Sequence, residues 1–411
     1  MFYLGDGLHM TIQENKLIDY LAITICSSVC VQRLSTVAGN VFYILALLIF
    51  LYLLFQRKRA GMRIFPFLDE GVKGYYKAFG IFILSLLPAA LFAGDAVGGI
   101  GFILEKWVYR WFPFFAITLF VRDKQILLKM LAAYAITIGI DSLVAMGQVV
   151  ILYKSRPWGF GGHPLHLATI LCFLTPILAV AALDNRVKGV AKKIATVLLV
   201  CCLIGALIGN SRGAWLTLFI VLPLISWPYI KSNKKYMCVA GIICCLLAGV
   251  FAMNPTYQNR LHSITNTTTN RSNADRILMW KSARDMIIDQ PVVGVGPGKF
   301  KAMYEKEYKY PEITQNLNHA HNNYLQIGAE YGLIGLGGFL YCLFYMLKRN
   351  YYEARAGNLY ARMRLGFLLG FLFFGIIEYS LNIAVVNRAL SFLLAILIML
   401  DIHDKKTENQ I

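Results

Sequence analysis

Residues 37–55 read Val-Ala-Gly-Asn-Val-Phe-Tyr-Ile-Leu-Ala-Leu-Leu-Ile-Phe-Leu-Tyr-Leu-Leu-Phe and are followed at once by Gln56, Arg57, Lys58 and Arg59. Wound as an α-helix this run is about 28 Å long, close to the thickness of a bilayer's hydrocarbon layer, and it ends on cations suited to the headgroups. Comparable runs recur from Leu17 to Leu400 at intervals of roughly thirty residues, which excludes a single anchor on a soluble enzyme. The expected spans are 17–32, 37–55, 78–93, 104–121, 125–151, 165–183, 194–208, 214–230, 236–253, 331–347, 365–381 and 388–401.

Composition agrees. Of 411 residues, 58% are hydrophobic and 15% charged, and the mean hydropathy is +0.57, so polar residues are too sparse to cover a water-soluble domain. The first apolar stretch, Leu17 to Val31, lacks a basic leader and a small-residue cleavage site, so it is expected to stay as span one, with Met10 a candidate start. All nine cysteines (Cys26, Cys30, Cys172, Cys201, Cys202, Cys238, Cys244, Cys245 and Cys342) fall inside apolar runs, as small hydrophobes rather than a disulfide framework or metal cluster.

Twelve crossings place both termini on one side. The short loops on that side hold 24 lysines and arginines, whereas the opposite short loops hold seven: Arg33, Lys106, Arg110, Lys154, Arg156, Arg212 and Arg388. That asymmetry predicts cytoplasmic termini and puts the polar segment 254–330 outside the inner membrane. The net charge of +18 is accordingly a matter of sidedness and membrane lipids, with no nucleic-acid partner implied. The chain divides into spans one to nine with short loops (1–253), an external helical domain (254–330), and spans ten to twelve with a cytoplasmic tail (331–411). Trp107, Trp111, Trp158, Trp215 and Trp227 sit near expected span ends, where amphipathic rings favour the headgroup level.

The external segment opens with Thr/Asn-rich Ser263 to Asn273, read as a mobile loop. Ala274 to Ile288 reads as a basic amphipathic helix on the membrane surface, with Asp275 in its first turn and Lys281 and Arg284 on its solvated face. Pro291-Val-Val-Gly-Val-Gly-Pro-Gly-Lys-Phe300 superficially resembles a phosphate loop, but Phe300 stands where Ser or Thr belongs, so a structural turn is expected.

Asn318-His-Ala-His-Asn-Asn-Tyr-Leu325 sets two imidazoles and several amides where an external site meets the bilayer. With His163 and His166 from another external loop, His319 and His321 could hold zinc, but the usual spacings and an accompanying carboxylate or cysteine are lacking. A neutral imidazole there could instead take a proton from a sugar hydroxyl, or simply cap the following helix. Arg212, in Gly209-Asn-Ser-Arg-Gly-Ala-Trp-Leu216, either snorkels to headgroups or grips a phosphate with two parallel hydrogen bonds. Arg156, in Arg156-Pro-Trp-Gly-Phe-Gly-Gly-His-Pro164, offers a similar grip. Asp141 and Glu378 fall within spans five and eleven, where an acid marks an ion pathway or pairs with a base across the bundle.

Ser211-Arg-Gly-Ala-Trp215, then Asp275-Arg276 with Trp280, Asp289, Pro291 and Gly294-Val-Gly-Pro-Gly298, then His319-Ala-His-Asn-Asn-Tyr-Leu325 and Glu330-Tyr-Gly-Leu-Ile-Gly335 occur in that order. This ordered set resembles the bacterial O-antigen ligase/polymerase family of integral-membrane glycosyltransferases. The resemblance implies an all-α, GT-C-like fold of about twelve transmembrane helices with a periplasmic helical domain between spans nine and ten. It also implies metal-independent, cofactor-free transfer of a glycan from undecaprenyl pyrophosphate, with inversion, to lipid A–core at the periplasmic face. Carried over by position, Arg212 and Arg276 hold the pyrophosphate and His321 activates the acceptor. His319 is the alternative base or an orienting partner, with Asn322 and Arg156 as secondary candidates. Polymerisation onto a second lipid-linked glycan and transfer to protein are the neighbouring alternatives. A lipid-linked glycan transporter depending on Asp141 or Glu378 is the competitor from another class.

Overall fold

The computed structural model describes residues 12–66, 68–265, 271–313 and 317–408, so Met10 and the middle of the Thr/Asn-rich stretch lie outside the described residues. All regular structure among the described residues is helical: α1 (Ile12–Val31), α2 (Thr36–Arg59), α3 (Glu70–Phe92), α4 (Ala96–Ile103), α5 (Phe112–Phe120), α6 (Lys124–Val150), α7 (Pro164–Leu183), α8 (Gly189–Ile208), α9 (Arg212–Ser232), α10 (Lys234–Met253), α11 (Pro255–Thr265), α12 (Arg271–Asp289), α13 (Phe300–Met303), α14 (Asn323–Arg355), α15 (Leu359–Ile377) and α16 (Ala384–Glu408). Short polar residues start many of them by accepting from the first free N–H groups: Asp123 takes that of Ile126 at 2.9 Å and Asn358 that of Ala361 at 2.7 Å.

Among the described residues, nine helices are long and apolar enough to cross a membrane: α2, α3, α6, α7, α8, α9, α14, α15 and α16. Their apolar windows differ sharply in enclosure, 94% buried in α16 and 83% in α7 against 28% in α2 and 22% in α8. The first two therefore form the centre of the bundle, and the last two turn most of their side chains outward, where lipid is the natural solvent. The expected span 104–121 is not one helix. A π-helical turn at Leu104–Tyr109 and Pro113 in the first turn of α5 break it into pieces. Trp107 and Trp111 in this broken stretch are buried, Trp107 against Phe82 with ring centroids 4.7 Å apart, so they are core residues and not headgroup anchors.

The loops segregate by end in the pattern the alternation of spans requires. At one end Arg186 reaches the Gly357 carbonyl at 2.8 Å, Lys124 pairs with Asp404 at 2.5 Å, and Lys406 with Asp69 at 2.7 Å. At the other, Arg110 reaches the Asn382 carbonyl at 2.7 Å, Asn210 the Ser155 carbonyl at 2.7 Å, and Arg212 the Ser263 carbonyl at 2.7 Å. The described cysteines are all free thiols.

A second, smaller core follows the bundle's tenth helix. Met279, Ala283 and Met286 of α12 bury against Val295, Phe300, Tyr304, Ile313, Ala320 and Ala329. The expected surface helix is thus corrected: Met279, Ala283, Met286 and Ile287 pack on its own domain, and Ile288 is left largely exposed. Lys281 and Arg284 are solvated, Arg284 pairing with Asp285.

The glycine-rich turn clamps this domain onto the bundle. Val295 N–H donates to the Ala329 carbonyl at 2.8 Å and Gly296 N–H to that of Glu330 at 3.1 Å, while Leu333 N–H donates to Pro291 O at 2.7 Å. These bonds fit into a break in α14, where Gly332 adopts φ +65° and ψ −169°, outside helical space and open only to glycine. The turn's amides at 295 and 296 are consequently spent on the protein itself.

Candidate functional site

Five separate segments meet at the Arg212 end of the bundle. The first is the loop before α14. Asn322 is its N-cap, accepting from Tyr324 and Leu325 N–H at 2.8 and 3.0 Å and donating to the Ile376 carbonyl at 2.9 Å. With both ends of its amide committed, Asn322 anchors the loop. Ala320 N–H donates to Gln326 at 2.8 Å, so the segment carrying both histidines is held from two directions. His321 takes a positive φ of 49°, rare for a residue with a Cβ, which turns its ring inward.

That ring meets the second segment. Glu378 follows α15 directly, as its C-cap, with its side chain only 4% exposed. His321 Nδ1 lies 3.0 Å and His319 Nε2 3.4 Å from Glu378 Oε1, and Arg276 Nη2 lies 3.4 Å from Oε2. Burial raises the Glu378 pKa, but hydrogen bonds from His319 and His321, with the charges of His321 and Arg276, outweigh it and hold the carboxyl below its usual range. Glu378 is therefore neither inside a span nor isolated. Asn323 ties this loop to the start of α14 through Ser380 at 3.1 Å.

The two histidines differ in what they have left. His319 Nδ1 is 2.6 Å from Asn318 Oδ1 and its Nε2 faces Glu378, so both ring nitrogens are engaged. His321 uses Nδ1 on Glu378, and its Nε2 has no hydrogen-bond partner among the described residues. The ring centroids are 4.1 Å apart.

α12 and α11 supply the third and fourth segments, and the start of α9 links them. Arg212 donates through Nη1 to Ser263 O at 2.7 Å and Ser263 Oγ at 2.9 Å, and through Nη2 to Asn273 Oδ1 at 2.7 Å. Arg276 lies one helical turn beyond Asn273, so the Arg212 contact also sets the face of α12 that points at Glu378. These bonds use only part of a five-donor guanidinium.

The fifth segment is the loop 151–163. Asp141, fully buried, takes the Arg33 Nε–H at 2.7 Å and the Phe160 N–H at 2.7 Å, and Gln148 bonds Trp158 N–H at 2.9 Å and Gly159 O at 2.8 Å. The buried pair thus holds the loop bearing Arg156 and His163, which makes Asp141 a structural anchor. His163 caps α7. Burial lowers its pKa, and the nearby Arg156, His319 and His321 lower it further against the opposing charge of Glu378.

The structure therefore brings Arg212, Arg276, His319 and His321 into one neighbourhood with Arg156, and adds two residues that the sequence reading did not place there, Glu378 and Arg260, whose carbonyl accepts the hydroxyl of the same Ser263 that Arg212 grips. His319, His321 and Glu378 offer three potential metal-ligand atoms within 4.8 Å of one another, so the expected lack of a carboxylate beside the histidines is corrected. Arg276 on the same carboxylate opposes a cation there. As chemistry, a carboxylate-oriented imidazole with a free nitrogen beside fixed arginines suits proton removal next to a departing anion.

The fold defines a multi-pass, all-helical membrane protein, and the site sets two imidazoles, a carboxylate and several arginines where the bundle meets its appended domain. A model of the family described as O-antigen ligase matches residues 197–340, which include Arg212, Arg276, His319 and His321, and this match supports the resemblance to the O-antigen ligase/polymerase family. Members of that family are glycosyltransferase-like enzymes of lipid-linked glycans. A protein of Haemophilus influenzae described as uncharacterized is 22% identical over 229 residues, 51% of this chain and 57% of its own length. The chain thus matches little more than half the length of that relative.

Proposed function

We propose that the protein transfers a glycan from undecaprenyl pyrophosphate to a sugar hydroxyl of lipid A–core on the periplasmic face, without a metal. The observation that carries this reading is the His321–Glu378 contact, 3.0 Å long, beside Arg276. Glu378 accepts the His321 Nδ1–H, which leaves the Nε2 lone pair as the base. Nε2 removes the proton of the acceptor hydroxyl as its oxygen forms a bond to the anomeric carbon. The bond from that carbon to the diphosphate oxygen breaks on the opposite face, and the electron pair leaves with undecaprenyl pyrophosphate, so the configuration inverts. Negative charge grows on the leaving oxygen, and Arg276 and Arg212 stabilise it more in the transition state than in the bound donor. Glu378 in turn stabilises the imidazolium. His319, with both nitrogens engaged, orients the pair.

The histidines are separable by experiment. In a reconstituted assay, His321→Ala should lower kcat by about 100- to 10,000-fold with little change in donor KM, the usual worth of a general base. His319→Ala should cost less than a tenth of that effect. Equal losses, or a larger loss for His319, would remove His321 from the role. Elongation of the lipid-linked glycan in place of transfer to core would make the protein a polymerase with the same site.

A further inference from the structure

Two arginines near the site are not needed for the displacement just described. Arg156 is exposed on the loop held by Asp141, and Arg260 is half-buried in α11. Neither side chain has a hydrogen-bond or ion-pair partner among the described residues, whereas Arg212 and Arg276 both do. Backbone anchoring nevertheless brings both to Arg212. Asn210, 9% exposed and at φ +49°, donates to the Ser155 carbonyl at 2.7 Å, fixing the residue before Arg156 two positions from Arg212. Ser263, which Arg212 grips, sits one turn after Arg260 and donates its hydroxyl to the Arg260 carbonyl at 2.7 Å.

Four guanidiniums from four segments therefore converge, with Glu378 the carboxylate that faces them and already shared with two histidines. The charges of Arg276, Arg260 and Arg156 all reach Arg212. Partial desolvation by the loop around it lowers the Arg156 pKa, and the charges of Arg260 and Arg276 add to it against Glu378. A diphosphate diester carries two negative charges, which Arg212 and Arg276 match. The remaining pair of cations calls for a second anion. Its position follows from the loop: Arg156 shares it with His163, whose electrostatic neighbours are Glu378, Arg156, His319 and His321, the side of the site where the base must meet the acceptor.

We propose that Arg156 and Arg260 form a second anion subsite, adjoining the diphosphate subsite, that binds a phosphate or carboxylate on the acceptor sugar. The subsite rests on the convergence of the four guanidiniums, and its assignment to the acceptor rests on the transferase reading. Arg156 and Arg260 then act in acceptor selection, and an acceptor lacking an acidic group is a poor one.

The test uses the full chain in nanodiscs of zwitterionic lipid, titrated calorimetrically with inorganic pyrophosphate and then, once saturated, with inorganic phosphate. Phosphate should bind the saturated protein at one further site. Arg156→Gln and Arg260→Gln should each weaken that second event by about tenfold or more and leave pyrophosphate affinity within about threefold, while Arg212→Gln should do the reverse. Competition between the two anions, absence of the second event, or equal weakening of both would overturn the subsite. A transfer assay then separates the sources. Removing acceptor phosphates should raise the acceptor KM about tenfold in the wild type and have no further effect in Arg156→Gln. If instead removal of acidic groups from the donor glycan raises the donor KM, or if no transfer occurs while the second anion still binds, the acceptor assignment is overturned.

Discussion

Replacing Glu378 by Gln is the most informative single change, because it keeps the shape of the contact and removes its charge. The side-chain oxygen of Gln can still accept the His321 Nδ1–H over the 3.0 Å seen here, so the imidazole keeps its orientation. What is lost is the attraction between the carboxylate and the imidazolium formed as the acceptor hydroxyl gives up its proton. At 3.0 Å and an effective dielectric constant of about 20, that attraction is about 5 kcal/mol. Part is returned, since Arg276, 3.4 Å from the same carboxylate, is released to interact with the diphosphate. A net loss of about 3–4 kcal/mol corresponds to a fall in kcat of about 200- to 1,000-fold. Donor KM should stay level or drop, because the freed arginine binds the diphosphate better. Initial rates with lipid-linked donor and core acceptor in nanodiscs, together with the Tm of each variant, give both quantities. A kcat within about threefold of wild type would refute the role of Glu378. So would a rate loss that simply tracks a loss of folded protein.

Other consequences follow from the same geometry. Because Glu378 has a depressed pKa in the folded protein, its stabilisation is complete above the unfolded value of about 4.3 and is lost as pH falls through the folded value. The Tm gap between wild type and Glu378→Gln should therefore persist from neutral pH down to about 5 and close as pH falls further. Asp141→Asn leaves Arg33 buried without its counter-charge, so a stability loss of about 3–5 kcal/mol is expected, read as a lowered Tm and faster proteolysis at residues 151–163. A transporter-like role for Asp141 would show instead as lost activity at unchanged Tm. Gly332→Ala puts a Cβ against the Val292 carbonyl at φ +65°, and thermal unfolding should report a cost of about 1–3 kcal/mol or more.

Much of the bundle was legible because apolar length is a local property. Residues 37–55, 125–151 and 165–183 coincide with α2, α6 and α7 to within a few positions at the helix ends. The failures came where a local run is cut by backbone geometry, as at Leu104–Tyr109 and Pro113, or where a break such as Gly332 is filled by a distant turn. An ordered set of motifs singles out Arg212, Arg276 and His321, which the structure brings into one neighbourhood. Glu378 was seen only as a costly buried acid, because its contact spans 57 positions. Nothing near Arg260 in the sequence marks it, and its place beside Arg212 depends on how α11 docks through Ser263. The face of α12 is ambiguous in sequence for a similar reason: periodicity shows that a helix has an apolar stripe and is silent on whether lipid or protein covers it.

Metal-free glycosyl transfer driven by His321 and the arginines beside it is the proposed function. It is tested most directly by reconstituting the purified chain with an undecaprenyl pyrophosphate-linked glycan and lipid A–core, in the presence of EDTA, and examining the products. The expected result is a core–glycan product with an inverted anomeric linkage and release of undecaprenyl pyrophosphate, abolished in His321→Ala, Arg212→Ala and Arg276→Ala. A retained linkage, dependence on added metal, or movement of the intact lipid-linked glycan across the membrane without a new glycosidic bond would contradict it.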